Sequence, residues 1–131
     1  MHAVLDANIV LRALVDEDEK PALWVARIDD AAFVASAPDL IFAEVGQALL
    51  GYLKSGHVSI DKTREYLDFV CALPLHVRPT RELVPTALEV ARNRQLSVYD
   101  ACYAVLAEAE DAVLVTADRR LAGAVSRGEL V

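Results

Sequence analysis

Short, mostly apolar runs alternate along this chain with longer stretches of helical period. Ala3–Leu5, Phe33–Ala35, Leu75–Val77 and Val113–Val115 are the short runs, and each predicts a strand; Glu129–Val131 adds a candidate edge strand. Between them, helical patterning covers Ile9–Val15, Pro21–Ile28, Asp39–Lys54, Ile60–Ala72, Thr80–Gln95, a segment ending at Glu108, and Arg119–Val125. The punctuation agrees with this division. An acidic run, Asp16 to Glu19, reads as a solvated turn, Pro21 suits a first helical turn, and Ser55-Gly56 stops a helix. Ser36 and Pro38 mark the way into the helix that begins at Asp39, and Thr80 is placed to cap the helix that carries Pro85. Ser97 with Asp100 three residues later has the form of a capping box. Strands alternating with helices imply an α/β domain in three layers, with helices on both faces of a parallel sheet of four or five strands.

In such a sheet, ligands bind outside the carboxyl ends of the strands. Asp6 directly follows the first run, and Asp118 closely follows the Val113–Val115 run. Two further acids conflict with their surroundings. From Val98 to Ala109 nearly every residue is apolar, which marks a buried helix, yet Asp100 sits in its first turn. Glu44 lies roughly 85° from the centre of the Ile41/Val45/Ala48 stripe, which puts it at the border of core and cleft. Each acid alone has an ordinary structural role: a cap, an ion-pair partner, a boundary residue. Four together, two at strand ends and two at helix borders, point to one crevice.

Converging carboxylates repel one another unless a cation sits among them. Oxygen donors without histidine or cysteine suit Mg²⁺ or Mn²⁺. Such an ion polarises a phosphate and lowers the pKa of a bound water, the requirements of phosphodiester hydrolysis. His2, His57 and His76 have no metal-ligand spacing, and each is expected at the surface or at a strand end. Cys71 and Cys102 are both expected as buried thiols, not as a disulfide. The net charge of −7 opposes unspecific nucleic-acid binding through a basic face. With the four site acids set aside it becomes −3, so a bound cation reconciles the charge with an anionic substrate.

The 131 residues, 55% of them hydrophobic, suit one domain spanning 1–131. No apolar run is long enough to cross a bilayer, and a soluble, cytoplasmic protein without membrane association is expected.

Four blocks, VLDANIVLRAL, PDLIFAEVGQAL, LSVYDACYAVLAE and LVTADRRL, stand in an order and spacing that resembles the PIN-domain ribonucleases. In size and layout the chain is most similar to the VapC-type toxins of toxin–antitoxin pairs. The resemblance implies a PIN-like fold and a Mg²⁺- or Mn²⁺-dependent endoribonuclease acting on single-stranded RNA. Position by position, the family's catalytic and metal-binding acids fall on Asp6, Glu44, Asp100 and Asp118. Asn8 and Thr116 match its polar positions that orient ligands and water. Some relatives carry a further acid just after the T-x-D; here Arg119 and Arg120 follow, which leaves the number of metal ions open.

The family also implies a homodimer and inhibition by a cognate antitoxin protein that sets a basic residue among the acids. Leu11 and Leu14 are expected to cover the sheet, and Trp24 to be the exposed anchor for that partner. Two other doubly wound folds fit less well. A phosphoacceptor receiver needs an acidic pair after its first strand and a late lysine, but Ala7 follows Asp6 and no lysine follows Lys62. A haloacid-dehalogenase-like phosphatase needs D-x-D where this chain has D-A-N. An RNA- or partner-binding module with little turnover, and an RNA-processing nuclease that is not a toxin, remain as alternatives.

Overall fold

The computed structural model describes all 131 residues. Its elements are β1 (His2–Leu5), α1 (Ala7–Leu14), α2 (Glu19–Ala26) with a 3-10 turn at Arg27–Asp29, β2 (Val34–Pro38), α3 (Leu40–Lys54) and α4 (Ile60–Ala72). They continue as β3 (His76–Arg78), α5 (Thr80–Arg94), α6 (Val98–Ala109), β4 (Val113–Thr116), α7 (Arg119–Gly123) and β5 (Gly128–Leu130). All strand pairs are parallel, in the order β3-β2-β1-β4-β5. Right-handed crossovers put α1–α4 on one face of the sheet and α5–α7 on the other. Accordingly, α6 lies across β1, β2 and β4, while α1 packs on β4 and against α2 and α3.

The chain leaves β1 toward β2 on one side and later returns to β4 on the other. The order therefore reverses between β1 and β4, and a crevice opens there at the carboxyl ends of the strands. Ala3, Val4 and Leu5, with Leu114 and Val115 of the neighbouring strand, form the fully buried centre of the sheet. On the α6 side, Ala101, Tyr103, Ala104 and Leu106 are fully buried against it.

Local physics moved three expectations. β2 does not stop at Ala35 but runs through Ser36 to Pro38, pairing Pro38 with Arg78. Since the Asp39 N–H bonds the Arg78 carbonyl, alternation turns Pro38 toward the β1 side, beyond the Val4–Ser36 pair, where no N–H is needed. Thr80 does not cap α5. Its hydroxyl accepts from Leu40 N–H at 3.2 Å, at the start of α3, while Asp39 Oδ1 accepts from Thr80 N–H at 2.9 Å, at the start of α5. The two helices thus cap each other, and the Thr80 hydroxyl, which also donates to Asp39 Oδ1, together with the Thr80 N–H holds the Asp39 carboxyl below its ordinary pKa. Finally, α7 ends at Gly123, short of Val125, because β5 follows closely: a Cβ on Gly128 would lie 2.1 Å from the Ala122 carbonyl oxygen.

Trp24 is a correction of a different kind. It was expected to be exposed, but only 9% of its surface is accessible, and its ring packs 6.1 Å from that of Phe33 with Arg27 over its face at 4.4 Å. Pro21, Trp24, Val25 and Ile28 are all buried at i, i+3, i+4 and i+7, so helical periodicity assigns Trp24 to the core. The exposed large apolar residue of α2 is Leu23. Of the cysteines, Cys102 is buried as expected, whereas Cys71 lies on the solvent side of α4; both are free. His57 and His76 are exposed, and half-buried His2 starts β1 with Nε2 2.8 Å from Ser36 Oγ and 2.6 Å from Glu110 Oε2.

Candidate active site

Asp6 follows β1 as the residue before α1, and its N–H bonds the Val115 carbonyl of the neighbouring strand. Its side chain makes no capping bond to α1. Instead Oδ2 accepts from Thr116 Oγ1 at 2.7 Å, in a buried position. Burial raises the Asp6 carboxyl to about 6; the Thr116 hydroxyl opposes this, and the charges of Asp100 and Glu44 add to it. Thr116 is fully buried at the end of β4, and its Oγ1 also accepts from Asp118 N–H at 3.0 Å. Asn8, on the first turn of α1, ties the same loop. Its Oδ1 accepts from Ala117 N–H at 3.1 Å, and its Nδ2 lies 3.4 Å from Thr116 Oγ1. Asn8 and Thr116 thus hold the β1 and β4 ends together across the crevice.

Glu44 sits one turn into α3, half-buried, with Oε1 accepting from the Tyr103 hydroxyl at 2.7 Å. Burial raises its carboxyl, the Tyr103 bond opposes the rise, and Asp100 adds to it. Asp100 is presented by the first turn of α6, whose N-terminus is held by Ser97 Oγ accepting the Asp100 N–H at 3.0 Å. Its carboxyl is raised by burial and then by the charge of Asp118. Asp118 caps α7, with Oδ1 accepting from Arg120 and Leu121 N–H groups at 2.9 and 3.3 Å.

The four acids are therefore one electrostatically linked group, reached from two strand ends and two helix starts. They are not drawn into a closed cage: no three acid, histidine or cysteine side chains stand close enough to hold an ion among them. Glu44 and Asp118 each turn one oxygen to a protein donor and leave the other without a protein partner. The donor set, carboxylate oxygens alone, has the hard character that suits Mg²⁺ or Mn²⁺.

Tyr103 is the site residue that sequence reasoning missed, having read it as core. It is indeed fully buried, and burial raises its hydroxyl far above the ordinary range, followed by the charges of Glu44 and Asp6. The available signal was a phenol in an otherwise apolar helix, one turn after Asp100. A buried hydroxyl needs a partner, and here the partner is Glu44.

The sequence matches the PIN domain family over residues 3–125. The chain belongs to that family. This PIN domain is 32% identical over 123 residues to Ribonuclease VapC1 of Mycobacterium tuberculosis (strain CDC 1551 / Oshkosh), an alignment covering 92% of this chain and 89% of the relative. Among solved structures it is similar to PAE2754 from Pyrobaculum aerophilum, with a TM-score of 0.78 and 25% identity over 98% of this chain and 82% of that one. It also shares its fold with VapBC2 from Rickettsia felis, solved bound to a DNA fragment from the promoter. There the TM-score is 0.68 at 16% identity, covering 100% of this PIN domain and 98% of that chain. The α/β sheet with five parallel strands is thus the fold of these neighbours.

Proposed function

We propose that this PIN domain is a metal-dependent endoribonuclease and the toxin of a VapBC-type pair. The observation that carries the reading is the linked set Asp6, Glu44, Asp100 and Asp118 at the β1/β4 switch point. The mycobacterial relative, named a ribonuclease, supports the reaction class. Neighbours solved as VapBC proteins and as a toxin–antitoxin complex support a protein partner. No helix is long and apolar enough to cross a membrane.

Asp6, Asp100 and Asp118 would hold the ion, with Glu44 as a direct or water-mediated ligand. Bound there, Mg²⁺ or Mn²⁺ supplies charge to polarise the scissile phosphate and acidifies a water. The chain's own residues do the rest. Thr116 orients Asp6, Asn8 fixes the loop that carries Asp118, the Tyr103 hydroxyl aims Glu44, and the buried floor of β1 and β4 keeps the carboxylates strongly interacting. The reading is tested by incubating the purified protein with single-stranded RNA in Mg²⁺ or Mn²⁺ and in excess chelator. Cleavage that survives chelation contradicts it.

Two further outcomes are expected. Tyr103→Phe keeps the ring but removes the donor to Glu44, so kcat should fall roughly tenfold with KM nearly unchanged. Steady-state kinetics beside a melting curve checks this, and an unchanged kcat removes Tyr103 from the site. Metal should also stabilise the fold in a pH-dependent way. Because the Asp6 carboxyl is raised to about 6, proton competition at pH 4 weakens ion binding about a hundredfold. An ion at a hundred times its neutral-pH Kd, worth about 2.7 kcal/mol there, would then stabilise by well under 1 kcal/mol. Thermal melts with and without metal at pH 7 and pH 4 read this directly, and equal shifts contradict it.

A further inference from the structure

Beside the carboxylates, a groove of 540 Å³ is lined by Leu40, Ala43, Glu44, Gln47, Ala48 and Tyr99. Tyr99 immediately precedes Asp100 on the first turn of α6, the turn fixed by Ser97. It is 66% exposed, and it belongs to neither ring pair of the molecule, Trp24–Phe33 or Tyr52–His57. A large exposed aromatic on a rigid turn, next to a catalytic carboxylate and across from an apolar helix face, is not explained by folding. None of the six lining residues is cationic, so the groove does not attract phosphate; it suits the uncharged part of a nucleotide. Besides the Tyr99 hydroxyl, the Gln47 amide is the one uncharged side chain there with both donor and acceptor capacity.

We propose that this groove is the nucleobase subsite of the RNA strand: a base flanking the scissile phosphate stacks on Tyr99 and is contacted at its edge by Gln47. The inference rests on the endoribonuclease reading and adds to it where the substrate is gripped. In a chain of net charge −7, stacking is a binding force that does not depend on phosphate neutralisation.

The test measures binding apart from cleavage. A short, fluorescein-labelled single-stranded RNA is titrated by anisotropy against Asp6→Asn protein, with Tyr99 unchanged or replaced. Tyr99→Ala should weaken binding roughly ten- to a hundredfold, whereas Tyr99→Phe and Tyr99→Trp should restore it, because stacking needs a ring and not a hydroxyl. Ala43→Leu, which fills the groove from α3, should weaken it too. Equal affinity for Tyr99→Ala and its parent overturns the subsite. So does a Tyr99→Ala protein that changes from dimer to monomer by light scattering, since the face is then a contact between copies. The endoribonuclease reading fails separately. If protein with Asp6 intact leaves RNA uncut in metal while RNA binding still depends on Tyr99, the subsite stands and the cleavage assignment falls.

Discussion

Asp6→Asn should cut metal-dependent RNA cleavage by on the order of 10²–10³-fold and leave the protein folded. The substitution keeps the shape of the side chain and an oxygen that can accept from Thr116 Oγ1, now at 2.7 Å from Oδ2. It removes one charge from the linked group and from the metal. The same substitution should change how stability depends on pH. The Asp6 carboxyl is raised from 3.8 to about 6, so the fold binds this proton more tightly than the unfolded chain does. The stability it contributes is complete below the unfolded value and is lost as pH rises through about 6. A shift of that size corresponds to about 3 kcal/mol. Without metal, Asp6→Asn protein should therefore lose less stability between pH 4 and pH 7, as measured by urea denaturation at each pH. Full activity in the variant refutes the metal-nuclease reading, and an unchanged pH dependence refutes the burial of Asp6 as the source of its shift.

Trp24→Ala should destabilise the protein by about 3–5 kcal/mol, the cost of deleting a large buried aromatic and leaving a cavity. Against a total stability of about 5–15 kcal/mol, this takes the fold to the edge of unfolding. The cause is specific: the ring fills the space between α2 and Phe33, and Arg27 lies over it. Leu23→Ala, one residue earlier on α2 and 60% exposed in the parent, should change stability by no more than about 0.5 kcal/mol. Urea midpoints of the two variants make the comparison. If Trp24→Ala stays within about 1 kcal/mol of the parent, Trp24 is not part of the core. A partner anchored on this side of the molecule finds Leu23, not Trp24, at the surface of α2.

The sequence by itself determined most of the elements, the parallel α/β class and the four acids, because each is written in local patterns. Apolar runs of strand length, 3.6-residue periodicity and Ser or Gly at helix ends act over a few residues, and the fold has no reason to overrule them. The acids were legible because a carboxylate at the end of an apolar run, or at the head of an apolar helix, conflicts with its own neighbours. The buried Trp24 was written there too, in the spacing of Pro21, Trp24, Val25 and Ile28, although the acidic turn before it suggested exposure.

What only the tertiary structure decided joins residues far apart in the chain. Thr116 meets Asp6 across 110 positions, and Tyr103 meets Glu44 across 59. Thr80 and Asp39 exchange caps between two helices, and Pro38 is tolerated in a strand because its neighbour β1 has already ended. Each of these depends on which strand lies beside which. Hydrogen-bond partners and the burial that raises the carboxyls are set by that pairing order, and no window of sequence contains it.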